Sequence, residues 1–110
     1  MAQLTIQNLA KTGVVITYGA AAGGGDEFAN NGKTFLHVKN GGGSSINVTI
    51  ASQVTDPEPG TAASNVVIAV ANGAEKMIGP FNQNGYNDVN AKVQATYSAV
   101  TSVTVAAISV

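Results

Sequence analysis

Apolar and polar residues alternate along most of eight short stretches of this chain. These stretches are rich in Val, Ile and Thr, the residue types that pack well on a pleated, half-buried surface. No window of the sequence shows a convincing helical period. The pattern therefore predicts strands over Leu4–Gln7, Val14–Tyr18, Thr34–Lys39, Ser45–Val54, Asn65–Ala71, Ala74–Ile78, Val89–Tyr97 and Ser102–Ser109.

Asn-Gly dipeptides punctuate these apolar stretches. Because Asn and Gly both tolerate positive φ, this dipeptide is a strong signal for the tight turn of a hairpin. Strands and turns together predict an all-β fold, an antiparallel jelly-roll-like sandwich or small barrel of about eight short strands. With 110 residues, the chain is expected to form a single β domain, 1–110. The four dipeptides are Asn31-Gly32, Asn40-Gly41, Asn72-Gly73 and Asn84-Gly85.

The alternation also predicts the register of one hairpin, between Thr34–Lys39 and Ser45–Ile50. A loop of five residues places the aliphatic rows of both strands on one face, whereas a loop of four would place them on opposite faces. The outward row of the first strand is then Phe35, His37 and Lys39, with Phe35 exposed. The predicted inward pairs are Val38 with Ile46 and Leu36 with Val48.

A second hairpin is predicted from Asn65–Ala71 through Asn72-Gly73 to Ala74–Ile78. Its first strand is apolar at every position from Val66 to Ala71. Such a strand is expected to be covered on both sides, by the core and by another layer or a partner. The uncharged C-terminal stretch, 100–110, is expected to be an internal strand or to pair with another subunit.

A Gly-rich loop is predicted at about 19–33, and its length favours a functional or mobile segment. We expect part of it to contact a partner, with Phe28 as the apolar anchor and Asp26 and Glu27 as the polar rim. The exposed Phe35 joins this predicted partner interface. The alternative is that Phe28 packs in the core of its own domain.

Charge and composition narrow the functional classes. Charged residues make up 10% of the chain and the net charge is −1, so the surface is either wetted by neutral polar residues or covered by a partner. Arg is absent, and this argues against nucleic acid as the principal partner. There is no Cys, no secretory signal and no apolar run of membrane-spanning length. Synthesis in a cytoplasm is therefore expected, with no membrane partner.

The chain offers few residues for catalysis. His37 has neither a second His nor a Cys beside it, and a solvated or hydrogen-bonded strand histidine is the expectation there. A Ca²⁺ site among Asn84, Asn87, Asp88 and Asn90 lacks the spacing of a known calcium loop. The glycine runs lack the Lys-Ser/Thr of a phosphate-binding loop. We therefore expect no enzyme, no catalytic residue, no metal and no cofactor.

Six segments of the sequence form a recognisable set: Phe35–Gly41, Ser45–Ile50, Ile78–Phe81, Tyr86–Asp88, Val93–Tyr97 and Val100–Ile108. Together they resemble small structural proteins of tailed bacteriophages. The resemblance implies a virion protein on the capsid exterior, made in the host cytoplasm. It would be a head decoration (cement) protein that binds the major capsid protein and forms a homo-oligomer, dimer or trimer. A neck or tail protein is an alternative, and a carbohydrate-binding β-sandwich module is an alternative of another class.

Overall fold

Strands account for the regular structure of the described residues, apart from one helical turn. The computed structural model describes residues 1–53, 65–81 and 83–109. This confirms the predicted all-β class. The elements are β1 (Ala2–Gln3), β2 (Ile6–Asn8), β3 (Gly19–Ala20), β4 (Asp26–Ala29), β5 (Thr34–Asn40), β6 (Ile46–Ile50), β7 (Val66–Val70), β8 (Glu75–Ile78), α1 (Gln83–Tyr86), β9 (Lys92–Tyr97) and β10 (Val103–Ser109).

The strands form two five-stranded sheets. Sheet A has the order β1-β4-β9-β6-β7, and sheet B has the order β2-β10-β5-β8, with β3 also paired to β10. Both sheets are mixed, because β1 runs parallel to β4 and β2 runs parallel to β10. The other pairings are antiparallel, as predicted. The N-terminal stretch thus joins the two sheets, with β1 on the first and β2 on the second.

One core lies between the sheets. Alternate residues of every long strand point into it, as the sequence pattern predicts for half-buried strands. Burying such aliphatic side chains contributes roughly 25 cal/mol for each Å² of apolar surface removed from water. The fully buried aliphatic side chains include Val48, Ile50, Val70 and Val93 of sheet A and Leu36, Val38, Val103 and Val105 of sheet B.

The first predicted hairpin is wrong, because its two strands belong to different sheets. β5 already has β10 on one side and β8 on the other, so no edge is open to β6. β6 pairs with β7 and β9 instead. At the corner between the sheets, the buried Asn40 amide donates to the carbonyls of Ser44 and Val70 and accepts from the Gly42 N–H. The predicted inward rows still share one core, but they reach it from opposite sides.

The second predicted hairpin is wrong for the same reason, although its turn is present. The Ala74 N–H donates to the Ala71 carbonyl across a tight turn in which Gly73 has a φ of 74°. The Gly73 N–H donates to the Asn40 carbonyl, which places this turn at the same corner. β7 therefore continues into a strand of the other sheet. Within the described residues, β7 is covered on its core side alone, because Val67 is 60% exposed on the other side.

The predicted Gly-rich loop at 19–33 contains two strands, β3 and β4. Gly25, with a φ of 96°, lies so close to β9 that a Cβ there would be 2.7 Å from the Ala95 carbonyl oxygen. Strand β4 then lies between β1 and β9. Conversely, the predicted strand at Val14–Tyr18 has no regular strand structure. Val54, the last residue of another predicted strand, lies outside the described residues.

The C-terminal strand is internal, which is one of the two arrangements predicted from its uncharged sequence. β10 pairs with β5 along seven residues and with β2 and β3 on its other side. Its backbone is therefore satisfied within the chain, and the apolar C-terminal sequence is explained by burial on both faces of sheet B.

Candidate functional site

The outward face of sheet B is partly covered by the chain itself, although Met77 of β8 is 63% exposed on this side. Ala106 and Ile108 point away from the core on β10, yet each is 2% exposed. The segment 9–18, which links β2 to β3, lies on this side. The Gln7 side chain donates to the Thr17 carbonyl and accepts from the Thr17 N–H, both at 2.8 Å. We call 9–18 the covering segment.

A polar cluster fastens the covering segment to sheet B. The Tyr18 hydroxyl lies 2.6 Å from His37 Nδ1, and His37 Nε2 lies 3.3 Å from a Glu75 carboxylate oxygen. The neutral tautomer with its hydrogen on Nε2 satisfies both contacts. The Lys39 ammonium lies 3.9 Å from the centre of the Tyr18 ring, in a cation–π geometry.

His37 was expected on an outward row, and it does lie there, but only 4% of it is exposed. The covering segment accounts for this burial, because Tyr18 packs edge-on to the imidazole. The hydrogen-bonded strand histidine predicted from the sequence is therefore observed. Tyr18 was not predicted as its partner, since nothing in the local pattern relates residues 19 positions apart.

The four residues of the predicted partner interface do not form one surface. Asp26 and Phe28 point into the core from β4, and Phe28 is 0% exposed. The observed arrangement is thus the alternative in which Phe28 packs in its own domain. Glu27 points outward from the same strand. Phe35 is half-buried on sheet B, where a Cβ on Gly79 would lie 2.9 Å from the Phe35 Cβ.

Asp26 is buried and hydrogen-bonded to Tyr97. The Tyr97 hydroxyl donates to the Asp26 carboxylate at 2.8 Å, and the Ala22 N–H donates to the same oxygen at 3.2 Å. Burial raises the pKa of the Tyr97 hydroxyl far above its ordinary value, and the hydrogen bond to Asp26 raises it further. These contacts join β4, β9 and the turn before β4, which is a structural role.

Asp88 organises the turn before β9. Its carboxylate accepts from the backbone N–H groups of Asn90 and Lys92 and from the Gln94 amide. The hydrogen bond from Gln94 is the main cause that lowers the pKa of Asp88. Asn87, another member of the weak Ca²⁺ pattern, instead exchanges hydrogen bonds with Asn30. The Asn84 side chain lies outside the described residues.

In contrast to sheet B, sheet A has an open outward face. Cross-strand register places Thr49 between Val67 and Thr96, and Asn47 beside Ala69. Its two charges, Glu27 and Lys92, lie 3.8 Å apart and pair with each other. We define the open face as Glu27, Ala29, Asn47, Thr49, Val67, Ala69, Lys92, Gln94 and Thr96, all partly or fully exposed.

The open face is the candidate interaction surface of the chain. The sequence alternation marks Asn47 and Thr49 as outward-facing, but only the strand order brings the residues of the open face together. Of the predicted site residues, Glu27 alone lies on it. Its composition is neutral and small, so its contacts would depend on shape and hydrogen bonding more than on charge.

Other kinds of site find little support in the described part of the chain. Residues 1–53, 65–81 and 83–109 contain no group of three or more His, Cys, Asp or Glu side chains that could hold a metal ion. No helix among them has the length and apolar character needed to cross a membrane. A groove of about 380 Å³ lies beside β10 and is lined mainly by Leu4, Gln7, Thr17 and 105–107, without the Tyr18 or His37 side chains.

No family model, curated protein or solved structure matches this chain. A function is therefore inferred from the molecule's own surfaces.

Proposed function

We propose that this protein is a virion structural protein that binds the outside of a tailed-phage head and stabilises the shell. In this proposal its fold is a jelly-roll-like sandwich, and its partner is the major capsid protein. The observation that carries the proposal is the open, nearly uncharged outward face of sheet A. The sequence resemblance to small phage structural proteins supports the same role.

The physical character of the open face suits a contact between proteins. Burying neutral Thr, Asn, Ala and Val side chains has a smaller desolvation cost than burying unpaired charges. The one ion pair, Glu27–Lys92, lies at the β4–β9 side of the face and would remain a polar rim. A small domain that touches several coat subunits gains net affinity through multivalency.

Localisation on assembled particles tests the role directly. Electron microscopy of particles with and without the protein should show a regular lattice over the head. A single ring at one vertex would instead support the neck or tail alternative. Absence from particles would contradict both proposals.

A matched pair of variants tests the face. Thr96→Lys places a charge at the centre of the open face, and Val15→Lys places the same charge on the covering segment, where Val15 is 92% exposed. We expect Thr96→Lys to weaken binding to particles that lack the protein, whereas Val15→Lys binds as the parent does. Equal binding of both variants would contradict the proposal that the open face contacts the particle.

A carbohydrate-binding module is the alternative of another class. Such modules stack sugars on exposed aromatic rings, and the open face carries no aromatic side chain. Two of the three Tyr side chains, Tyr18 and Tyr97, are held by His37 and Asp26. This weighs against the carbohydrate alternative, and a glycan array with no binding above background would agree.

A further inference from the structure

In the described part of the chain, strand β7 is an edge of sheet A that lacks the usual protection. Its sequence, Val66–Val70, has no charged residue and no proline. Among the described residues, β7 pairs with β6 on one side and with no strand on the other. An edge strand presents a row of N–H and C=O groups that are complementary to another extended strand.

The other sheet edges differ from β7. β8, the neighbouring edge of sheet B, carries Glu75 and Lys76, and charges are a common device against edge pairing. β1, the opposite edge of sheet A, has only two residues. The other edges of the described strands are thus charged or short. The five apolar residues of β7 form an edge that no described strand covers, although the Val70 carbonyl at its end accepts from the Asn40 amide.

We propose that β7 pairs antiparallel with β7 of a second copy of this chain, centred on Ile68. A two-fold contact requires a self-complementary surface. The order Val-Val-Ile-Ala-Val is nearly symmetric about its centre. In this register Ile68 faces its own counterpart, Val66 faces Val70, and Val67 faces Ala69.

The pairing continues both layers of the molecule. A two-fold axis perpendicular to the sheet keeps the inward side chains Val66, Ile68 and Val70 of both copies on one side. The open faces of both copies then lie together on the other side. One dimer would therefore present twice the neutral surface in one direction. The inference does not depend on the virion role, although it would serve that role through multivalency.

The size of the contact sets how strong it can be. A strand of five residues spans about 17 Å, and an edge contact of this length falls short of the roughly 1,600 Å² of a standard interface. The dimer is therefore weak, and it forms at high protein concentration or where a particle surface concentrates the chain.

Charge pairing across the two-fold axis tests both the partner and the register. Val67→Lys and Ala69→Glu each alter an exposed, outward side chain, and thermal melts should show that both variants fold. By sedimentation equilibrium, each variant alone should dimerise about tenfold more weakly than the parent. An equimolar mixture should recover the association, because the lysine introduced by Val67→Lys in one copy then faces the glutamate introduced by Ala69→Glu in the other.

Thr96→Lys is the matched control, since it adds the same charge to the same face away from the edge. It should dimerise as the parent does. Three outcomes would overturn the proposal: a parent chain that stays monomeric at all accessible concentrations, a mixture no stronger than its components, or equal weakening by Thr96→Lys. A parent chain that stays monomeric and pairs its β7 edge with an extended segment of another protein would also overturn the proposal.

Discussion

The outward faces of the two sheets differ in how far the chain itself buries their side chains. On sheet B, Ala106 and Ile108 are buried although they point outward, and Tyr18 of the covering segment packs on the imidazole of His37. On sheet A, the corresponding residues are Thr, Asn, Ala and Val, and they stay open. The difference teaches that the outward residues of the central strand β10 are buried within the chain, whereas the outward residues of sheet A are left for water or a partner.

The contrast also distinguishes residues that stabilise the fold from residues that are available for binding. Changes under the covering segment or in the core should affect folding, because those side chains lose contacts when they are shortened. Changes on the open face should leave folding alone and affect only what binds there. Four predictions test that division.

Phe28→Ala should have the largest effect, a loss of about 3–5 kcal/mol in the free energy of unfolding, because Phe28 is fully buried and packs near Phe81. Glu27→Ala, on the opposite side of the same strand, should cost less than about 1 kcal/mol, since it loses only a partly exposed ion pair. Urea denaturation measures both. Equal losses would contradict the assignment of Phe28 to the core.

Ile108→Ala and Val67→Ala compare outward residues of the two sheets directly. Ile108 is 2% exposed, so its truncation should lower the free energy of unfolding by about 2–5 kcal/mol. Val67 is exposed, so its truncation should change stability by about 0.5 kcal/mol or less. Thermal and chemical unfolding give the two values. A small effect at Ile108 would contradict its burial on the outward side of sheet B.

Tyr97→Phe should reduce stability at neutral pH by about 1–3 kcal/mol, because the buried Asp26 carboxylate loses a hydroxyl donor. In the parent, the pKa of Tyr97 is raised by burial and by Asp26. The folded state therefore holds this proton more tightly than the unfolded state does. The resulting stability is present below the unfolded pKa of about 10 and is lost as the pH rises above it.

The variant lacks this titrating group, so its stability should fall less steeply than that of the parent between pH 9 and 11, values chosen to bracket roughly the unfolded tyrosine pKa. Denaturation curves at a series of pH values provide the comparison. Identical slopes for the two proteins would show that Tyr97 does not carry the alkaline dependence.

Tyr18→Phe should have the smallest effect on global stability, about 1 kcal/mol, because one hydrogen bond to His37 is lost while the ring remains. Its local effect should be larger. Amide exchange in the covering segment should speed up, whereas exchange in β4 and β9 should not. Val15→Ala, a change to an exposed residue of the same segment, is the control and should leave exchange as it is.

Much of the secondary structure could be predicted from the sequence, because strand periodicity is a local property. The alternation identified the inward rows on β5 and β6, and the uncharged C-terminus indicated an internal strand. The turn at Asn72-Gly73 was also found. By contrast, β4 was hidden in a glycine-rich stretch, since its four residues show too little alternation to be recognised alone.

The candidate site was predicted only in part. Alternation marks Thr49 as outward, but Glu27, Thr49 and Thr96 lie on three different strands, and the strand of Glu27 was predicted as a loop. Their adjacency depends on β9 pairing with both β4 and β6. Phe28 was assigned to the interface as one of two alternatives, because a lone phenylalanine in a predicted loop carries no signal of the direction in which it points.

The sequence by itself determined the apolar rows of β5 and β6 that face the core, and the tertiary structure decided which strands lie side by side. A hairpin and a crossing between sheets satisfy the same alternation, because either one delivers both apolar rows to one core. The choice between them depended on long-range contacts. β10 and β8 occupy both sides of β5, and the Asn40 amide donates to the Ser44 and Val70 carbonyls at the corner between the sheets. Such contacts join residues far apart in the chain, and local periodicity carries no information about them.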